Sequence, residues 1–238
     1  MKAMIFAAGL GTRFKPWTDH HPKALAIVNQ KSLLQRNIEY LQSFGITEVV
    51  VNVHHFADQV IQAIEANQGW GSKVIISDER EEVLETGGGL LKAASLLQTN
   101  ETFLTINADI LTNLDLHQIL AFHASRQALV TVSVTNRKAS RHFLFNEGNR
   151  LCGWENNQTG EQKISIHHTP LHPMGYTCVS VFSPGIFEAI PQRGKFSLTD
   201  TYLQLAAEHL ILGYDHSGDT FIDVGKPESV AIAETLFP

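Results

Sequence analysis

Residues 3–13 read Ala-Met-Ile-Phe-Ala-Ala-Gly-Leu-Gly-Thr-Arg, an apolar run that passes directly into two glycines and a cation. The apolar part predicts a buried strand, and Gly9 and Gly11 predict a tight turn after it. Because glycine has no Cβ, such a turn lets backbone N–H groups converge on an anion. Arg13 adds a planar fork of donors, and Lys23 adds a mobile point charge. The stretch therefore predicts a phosphate-binding turn.

Two familiar phosphate motifs do not fit this turn. The dinucleotide pattern needs a third glycine at position 14, where the chain has Phe14. The P-loop needs a Gly-Lys-Ser/Thr run, and the sequence contains none. A nicotinamide-dependent oxidoreductase is therefore disfavoured, and the turn belongs to a third kind.

Strand and helix patterns alternate through the first half of the chain. The predicted strands are 3–8, 49–53, 73–77, 103–108 and 129–134. Helical patterns lie between them: one begins at a capping box from Ser32 to Gln35 and stops at Gly45, and others cover 60–64, 87–97 and 116–123. This order predicts an α/β fold with a mostly parallel central sheet and helices on both faces. Ligands bind such sheets at the carboxyl ends of the strands.

The second half of the chain is less regular. Two strand-like runs within 141–154 flank a turn, and further strands are predicted at 164–168, 176–182 and 221–224. Ser197 begins a predicted helix that runs to about Leu210, and Pro227 fits the first turn of a closing helix.

Composition narrows the classes of function. The 238 residues carry a formal charge of −6, which disfavours a general nucleic-acid binder but leaves room for a nucleotide site. The two cysteines, Cys152 and Cys178, fit no metal spacing, so we expect a reducing compartment, by default the cytoplasm. No apolar run approaches the ~20 residues that span a membrane.

The 12 histidines suggest zinc only at first sight. Three adjacent pairs occur, but neighbouring side chains diverge in regular structure, and no His-Glu-x-x-His or Cys-x-x-Cys spacing is present. We expect solvated or loop histidines, with His54 and His55 placed at a strand end on the ligand side.

The run from Phe6 to Arg13, with Pro16 and the pair Pro22-Lys23, resembles the signature of the nucleoside-diphosphate-sugar pyrophosphorylase family, the sugar-1-phosphate nucleotidyltransferases. The family form is hydrophobic-Ala-Ala/Gly-Gly-x-Gly-Thr-Arg-hydrophobic-x-Pro-Leu-Thr, followed by Pro-Lys. Trp17 departs from the usual leucine. The resemblance implies a Rossmann-like nucleotidyltransferase fold. We expect one such domain over 1–238, with about 136–196 as a sugar-side insertion and no hexapeptide β-helix tail.

The resemblance also implies the residues of the phosphate site. In the family the glycine-rich turn wraps the nucleotide phosphates, which assigns Ala8, Gly9, Gly11, Thr12 and Arg13 to nucleotide binding. Lys23 is expected to contact the α-phosphate or the incoming sugar phosphate.

Two aspartates of the family usually hold Mg²⁺. By motif position they are Asp109, after a strand that ends in Asn-Ala, and Asp223, in Asp-Val-Gly-Lys-Pro. Ala108 and Lys226 replace the more common glycine and threonine. Together with Arg13 and Lys23, the two aspartates form the expected catalytic set.

The base and sugar sides follow from weaker matches to the family. The run Glu-Thr-Gly-Gly-Gly at 85–89 is expected near the base and ribose, with Gly87 and Gly88 as nucleotide-binding residues. Glu155 and Gly175 are expected near the sugar. Many relatives follow the glutamate with a lysine for the sugar phosphate, but Asn156 stands here. Lys138 and Lys163 are both possible substitutes, and the sequence leaves that choice open.

The implied reaction joins a nucleoside triphosphate to a sugar 1-phosphate and releases pyrophosphate. The Glu-Thr-Gly-Gly-Gly form most resembles N-acetylmuramate 1-phosphate uridylyltransferases, which implies UTP as the nucleotide. GTP with mannose or hexose 1-phosphate, CTP with phosphocholine, and a non-catalytic sugar-nucleotide sensor stay open. No nucleic-acid or membrane partner is expected, and the sequence says nothing about oligomeric state.

Overall fold

The protein, seen in a computed structural model, is described over residues 1–97 and 100–238. The strands are β1 Lys2–Phe6, β2 Ile27–Val28, β3 Lys31–Ser32, β4 Glu48–Val53, β5 Lys73–Asp78, β6 Phe103–Asn107, β7 Ile110–Thr112, β8 Val130–Thr135, β9 Arg141–Phe145, β10 Leu151–Asn156, β11 Glu161–Ile164, β12 His172–Phe182, β13 Ile211–Asp215 and β14 Phe221–Asp223. The α-helices are α1 Leu33–Ser43, α2 Ala57–Ala66, α3 Glu85–Lys92, α4 Ala94–Leu97, α5 Leu116–Arg126, α6 Ile186–Ala189, α7 Leu198–Leu205 and α8 Glu228–Leu236. Short 3-10 helices cover Thr12–Phe14, Trp17–Asp19, Lys23–Leu25 and Gln68–Gly71. Over these described ranges, no helix has the length and apolar character needed to cross a bilayer.

The main sheet confirms the predicted α/β class. Strands β5, β4, β1 and β6 lie side by side and parallel, so their carboxyl ends share one edge. Strand β12 then pairs antiparallel with β6 and β8, and β13 pairs parallel with β8. Strands β9, β10 and β11 form an antiparallel extension attached through β12.

Helices cover both faces of the sheet, as the alternation of elements predicted. In β1, Ala3 and Ile5 point into one buried cluster with residues of α1, α2 and α5. Met4 points the other way, into a cluster with residues of α3, α4 and α7. Successive strand residues face opposite sides, so one short apolar strand supports two cores.

A third, smaller cluster ties the glycine turn to the end of the chain. Phe14 is 4% exposed and packs with Val28, Leu33, Val224 and Ala233. Phe14 follows Arg13 directly and Val224 follows Asp223 directly. Burial of these two apolar side chains in one cluster therefore brings Arg13 and Asp223 to the same place.

Three local predictions were wrong in part. Ser32 does cap α1, accepting the N–H of Gln35 at 3.1 Å, but the Gln35 side chain donates to Glu39 instead of reaching back. A single helix over 87–97 is replaced by α3 and α4, which meet at Ala93. The helix after Ser197 ends at Leu205, five residues short of the predicted Leu210.

The predicted strand at 164–168 was also wrong. Strand β11 ends at Ile164, because the next residues leave the ladder and turn over the sheet extension. The N–H groups of Ser165 and Ile166 both donate to the carbonyl of Cys152, and Ser165 Oγ donates to the carbonyl of Leu203. These bonds dock the segment on α7, a tertiary contact that local sequence does not reveal.

One histidine of α5 is part of the buried structure. His123 is 2% exposed, and its ring nitrogens bond Thr131 Oγ1 at 2.9 Å and Ser183 Oγ at 3.1 Å. Burial disfavours the charged ring and lowers the pKa of His123 from 6.5 to about 4. The native state therefore holds this histidine neutral at pH values where the unfolded chain protonates it.

This difference predicts a loss of stability in mild acid. Because the unfolded state binds the extra proton, stability falls as pH drops below 6.5, by about 2 kcal/mol at pH 5 for this residue. Urea unfolding at pH 8 and pH 5 measures it. The His123→Gln variant, which cannot ionise, should lose about 2 kcal/mol less over this range than the parent chain. The exposed His167→Gln variant should behave like the parent. Equal pH dependence of the parent and His123→Gln would show that His123 is not held neutral.

Candidate active site

The turn after β1 is held by a buried asparagine. Asn52 Oδ1 accepts the backbone N–H groups of Ala7 and Ala8 at 2.7 and 3.3 Å, and Asn52 Nδ2 donates to Glu79 Oε1 at 2.8 Å. Asn52 belongs to β4, the strand next to β1. Since the Ala8 N–H is engaged in this network, Ala8 contributes to the site as part of its wall.

Gly11 is the position in the turn that requires glycine. Its φ of 61° lies in the left-handed region, and a Cβ there would stand 2.8 Å from Thr18 Cγ2 and 3.1 Å from Lys23 Cβ. The Gly11 carbonyl accepts Thr18 Oγ1 at 2.9 Å and the Phe14 N–H at 2.8 Å. The turn is therefore fixed against the segment that carries Lys23.

A cleft of about 440 Å³ opens at the carboxyl ends of the parallel strands. It is lined by Phe6, Ala7, Ala8, Gly9, Gly11, Thr12, Arg13, Lys23, Ala24, Asn52, Glu79, Val83, Glu85, Thr86, Asn107, Ala108, Asp109 and Gly225. Its size is in the range of small-molecule sites. The predicted phosphate turn, both predicted cations and Asp109 thus share one concavity.

Asp109 and Lys23 form the closest ion pair of this cleft. Lys23 Nζ lies 2.5 Å from Asp109 Oδ2, and the two side chains are 12% and 23% exposed. Asp109 stands two residues beyond β6, where the Ala108 N–H continues the ladder by donating to the Phe6 carbonyl. The position of the carboxylate is therefore set by the central sheet.

Asp223 stands beside Asp109 because the backbones of their segments are bonded. Strands β14 and β7 pair so that Asp223 faces Ile110, and the Val224 N–H donates to the Asp109 carbonyl at 2.9 Å. Burial raises the pKa of Asp223, and the negative charge of Asp109 raises it further. Its Oδ1 is buried without a hydrogen-bond partner. The two carboxylates therefore repel each other in a site from which water is partly excluded.

Arg13 faces this acidic pair from the turn. Its Nη2 lies 3.9 Å from Asp223 Oδ2. Gly225 makes the approach possible, since a Cβ there would stand 2.7 Å from Asp223 Oδ1 and 3.2 Å from Arg13 Nη2. Gly225 was not among the predicted site residues, although it belongs to the Asp-Val-Gly-Lys-Pro motif from which Asp223 was predicted.

The three consecutive glycines at 87–89 are buried, and they pack against protein. A Cβ on Gly87 would stand 2.3 Å from Phe196 Cδ2, and one on Gly88 would stand 2.2 Å from the Gly194 carbonyl oxygen. The two residues before the glycines, Glu85 and Thr86, line the cleft, and Glu85 has a positive φ of 60°. The glycines thus let α3 approach the 194–196 segment closely and hold the start of the helix at the cleft.

Glu79 is an acid that sequence analysis did not single out. It follows β5, lines the cleft and is 1% exposed, and its Oε2 has no hydrogen-bond partner. Burial raises the pKa of Glu79.

The two histidines predicted at the strand end contact backbone. His54 Nδ1 lies 2.6 Å from the Glu79 carbonyl, and His55 Nε2 lies 3.2 Å from the Thr18 carbonyl. Both histidines therefore contact backbone carbonyls around the cleft and are not among the residues that line it.

The predicted sugar-side residues lie outside the lining of this cleft. Glu155 on β10 faces His142, with 3.7 Å between Oε1 and Nδ1. Gly175 on β12 is buried beneath Arg137, whose Cγ would stand 2.9 Å from a Cβ at that position. Lys163 is paired with Asp200 at 3.1 Å. The structure thus joins the phosphate and acidic residues in one place and sets the sugar-side candidates on β10, β11 and β12.

Cys178 is a further neighbour of the acidic pair. It has a φ of 61° within the irregular part of β12, between Tyr176 and Ser180. Burial raises the pKa of its thiol, and the charges of Asp109 and Asp223 raise it further.

Both cysteines are free thiols. Within the described part of the chain, no three His, Cys, Asp or Glu side chains gather as a metal cluster, so the acidic pair stands with only two carboxylates.

The comparisons with known proteins agree with this geometry. The family model described as nucleotidyl transferase matches residues 2–145. The chain is 32% identical over 241 residues to the N-acetylmuramate alpha-1-phosphate uridylyltransferase of Caulobacter vibrioides, with 98% of this chain and 95% of that protein covered. It is 35% identical over 232 residues to the mannose-1-phosphate guanylyltransferase catalytic subunit beta of Dictyostelium discoideum, with 96% and 62% covered.

Solved structures share the fold. HddC from Yersinia pseudotuberculosis complexed with GMP-PN superposes with a TM-score of 0.75 at 23% identity, covering 100% of this chain and 99% of that one. A putative glucose-1-phosphate thymidylyltransferase from Bacillus anthracis superposes with a TM-score of 0.81 at 17% identity, covering 99% and 94%. From its family match and its full-length relatives, the chain belongs to the nucleotidyl transferase family and is a sugar-1-phosphate nucleotidyltransferase.

Proposed function

We propose that this enzyme transfers a uridylyl group from UTP to N-acetylmuramate 1-phosphate and releases pyrophosphate. One observation supports the reaction above all: the glycine turn, Arg13, Lys23 and the two aspartates converge on one cleft and its rim. The choice of substrates is supported by the Glu-Thr-Gly-Gly-Gly form at 85–89 and by the 32% identity to the N-acetylmuramate alpha-1-phosphate uridylyltransferase of Caulobacter vibrioides.

In this proposal the turn binds the triphosphate. Gly9, Gly11 and Thr12 bring backbone close to the phosphates, and Arg13 offers its planar donors to the pyrophosphate end. Ala8 forms the wall behind them. Residues 83–86 take the base and ribose side, and Gly87 and Gly88 set the position of that segment by close packing.

Asp109 and Asp223 have the properties of a Mg²⁺ site. Both are hard oxygen donors, and the buried Oδ1 of Asp223 lacks a hydrogen-bond partner. Mg²⁺ is ordinarily bound by one or two carboxylates and completes its shell with phosphate oxygens and water, so two protein ligands suffice. When bound, Mg²⁺ supplies charge that screens the repulsion between the two anionic substrates and favours departure of pyrophosphate.

Lys23 lies where the two substrates meet. Its ammonium group contacts Asp109 and lies over the Phe14 ring at 5.9 Å, which holds it at the floor of the cleft. From there it can orient the α-phosphate or the attacking oxygen of the sugar phosphate. That oxygen is already ionised near neutral pH, because the second phosphate pKa is about 6. The reaction therefore needs no general base from the protein.

Loss of the Asp109 charge should impair turnover strongly. The Asp109→Asn variant removes a metal ligand and the partner of Lys23, so we expect kcat to fall by at least about 100-fold, or ~2.7 kcal/mol of barrier. Pyrophosphate release measures it, with the exposed Asp58→Asn variant as control. Turnover of Asp109→Asn close to that of the parent would contradict a metal role for Asp109.

The substrate pair is tested by a matrix of the four common nucleoside triphosphates against several phosphates, with pyrophosphate as the readout. We expect kcat/KM for UTP with N-acetylmuramate 1-phosphate to exceed every other pair by at least about tenfold, which is ~1.4 kcal/mol of transition-state binding. A higher value for GTP with mannose 1-phosphate, or for CTP with phosphocholine, would overturn this choice while leaving the reaction type intact. Nucleotide binding without pyrophosphate release from any pair would indicate a sensor.

A further inference from the structure

The chain lacks a lysine at the position where many relatives bind the sugar phosphate. Asn156, which stands there, is 8% exposed, and its Oδ1 accepts the N–H of Gln158 in the turn after β10. Lys163, one of the possible substitutes, donates to Asp200 and lies 5.5 Å from the centre of the Trp154 ring. Asn156 and Lys163 are thus engaged with other protein groups. The neighbouring segment carries two further cations, Arg137 and Lys138.

Arg137 is held in place at three points. Its aliphatic stem lies on Gly175, where no Cβ fits, and its Nη2 donates to the Tyr176 carbonyl at 3.0 Å. The guanidinium stacks over the Phe221 ring at 5.1 Å. Gly175 and Tyr176 belong to β12, and Phe221 begins β14. The side chain therefore bridges β12 and the strand that ends in Asp223.

This bridge brings a positive charge to the acidic pair from the sugar side. Arg137 interacts electrostatically with Asp223 and with Cys178. Asp109 and Lys23 also interact electrostatically with both of these groups. Arg13 acts on Asp223 from the phosphate turn, so the two guanidinium groups approach it from different elements. Arg137 uses one of its five N–H donors on the Tyr176 carbonyl, which leaves others for an anion.

We propose that Arg137 binds the phosphate of the sugar 1-phosphate. The inference rests on the proposed function and names the residue that takes the place of the missing lysine. Three observations carry it: the hydrogen bond to the Tyr176 carbonyl, the contact with Gly175, and the position over Phe221, two residues before Asp223. A planar fork matches two phosphate oxygens at once, and stacking on Phe221 keeps it oriented. In the proposed reaction Arg13 serves the pyrophosphate end and Lys23 lies where the substrates meet, and Arg137 adds a further cation for the second anionic substrate.

Steady-state kinetics with both substrates varied test the proposal. In Arg137→Gln the KM for the sugar 1-phosphate should rise at least about tenfold, while the KM for the nucleotide stays within about twofold. Arg137→Lys should fall between the two, because it keeps the charge and loses the fork. Lys138→Gln removes a charge from the neighbouring exposed position and should match the parent, as should Lys163→Gln.

A purely structural Arg137 would give a different pattern. If it only neutralised Asp223, Arg137→Gln would shift the acid limb of the pH–rate profile and weaken the response to Mg²⁺, with an unchanged KM for the sugar 1-phosphate. That pattern overturns the proposal. An increase in the KM of Lys138→Gln or Lys163→Gln equal to that of Arg137→Gln also overturns it.

A binding measurement separates this proposal from the proposed function. Calorimetric titration with N-acetylmuramate 1-phosphate, in the presence of a non-hydrolysable UTP analogue, should show at least about tenfold weaker binding to Arg137→Gln than to the parent. Equal affinity of the parent and Arg137→Gln overturns the role of Arg137, whereas no binding to the parent overturns the choice of N-acetylmuramate 1-phosphate as substrate. A different result would contradict the proposed reaction itself: no pyrophosphate release by the parent from any substrate pair.

Discussion

Repulsion between two neighbouring carboxylates is the constraint that organises this molecule. Asp109 and Asp223 lie beside one another, and burial together with the Asp109 charge raises the pKa of Asp223. Such an arrangement is unfavourable unless positive charge surrounds it. Lys23 bonds to one carboxylate and Arg13 faces the other. The pair thus resembles a cation site that protein side chains balance only in part, which agrees with an enzyme that binds its metal together with a triphosphate.

The fold brings these groups together by backbone pairing and by apolar packing. The bond from the Val224 N–H to the Asp109 carbonyl joins the end of β14 to the segment that follows β6. The cluster that contains Phe14 and Val224 then fixes the turn against the same strand. Phe14, the residue that excludes a dinucleotide motif, thereby has a structural role: its burial aims Arg13 at the acidic pair.

Sequence predicted the parts of the site that depend on local chemistry. The strand before the turn and the glycines within it follow from residue type, and the family resemblance pointed to Asp109 and Lys23 as site residues. Their ion pair is seen only in the structure. Asn52, Glu79 and Arg137 could not be found in this way, because each acts through partners distant in the chain. The predicted strand at 164–168 failed for the same reason, since tertiary hydrogen bonds override its apolar character.

The central claim is that Asp109 and Asp223 jointly hold the divalent cation that serves the nucleotide. Crystals grown with Mn²⁺ and a non-hydrolysable UTP analogue, with anomalous diffraction recorded near the manganese edge, test it most directly. The account predicts a strong anomalous peak within about 2.4 Å of a carboxylate oxygen from both aspartates, with the triphosphate along the 8–13 turn. A peak bound to phosphate alone, or one located away from both carboxylates, would contradict it.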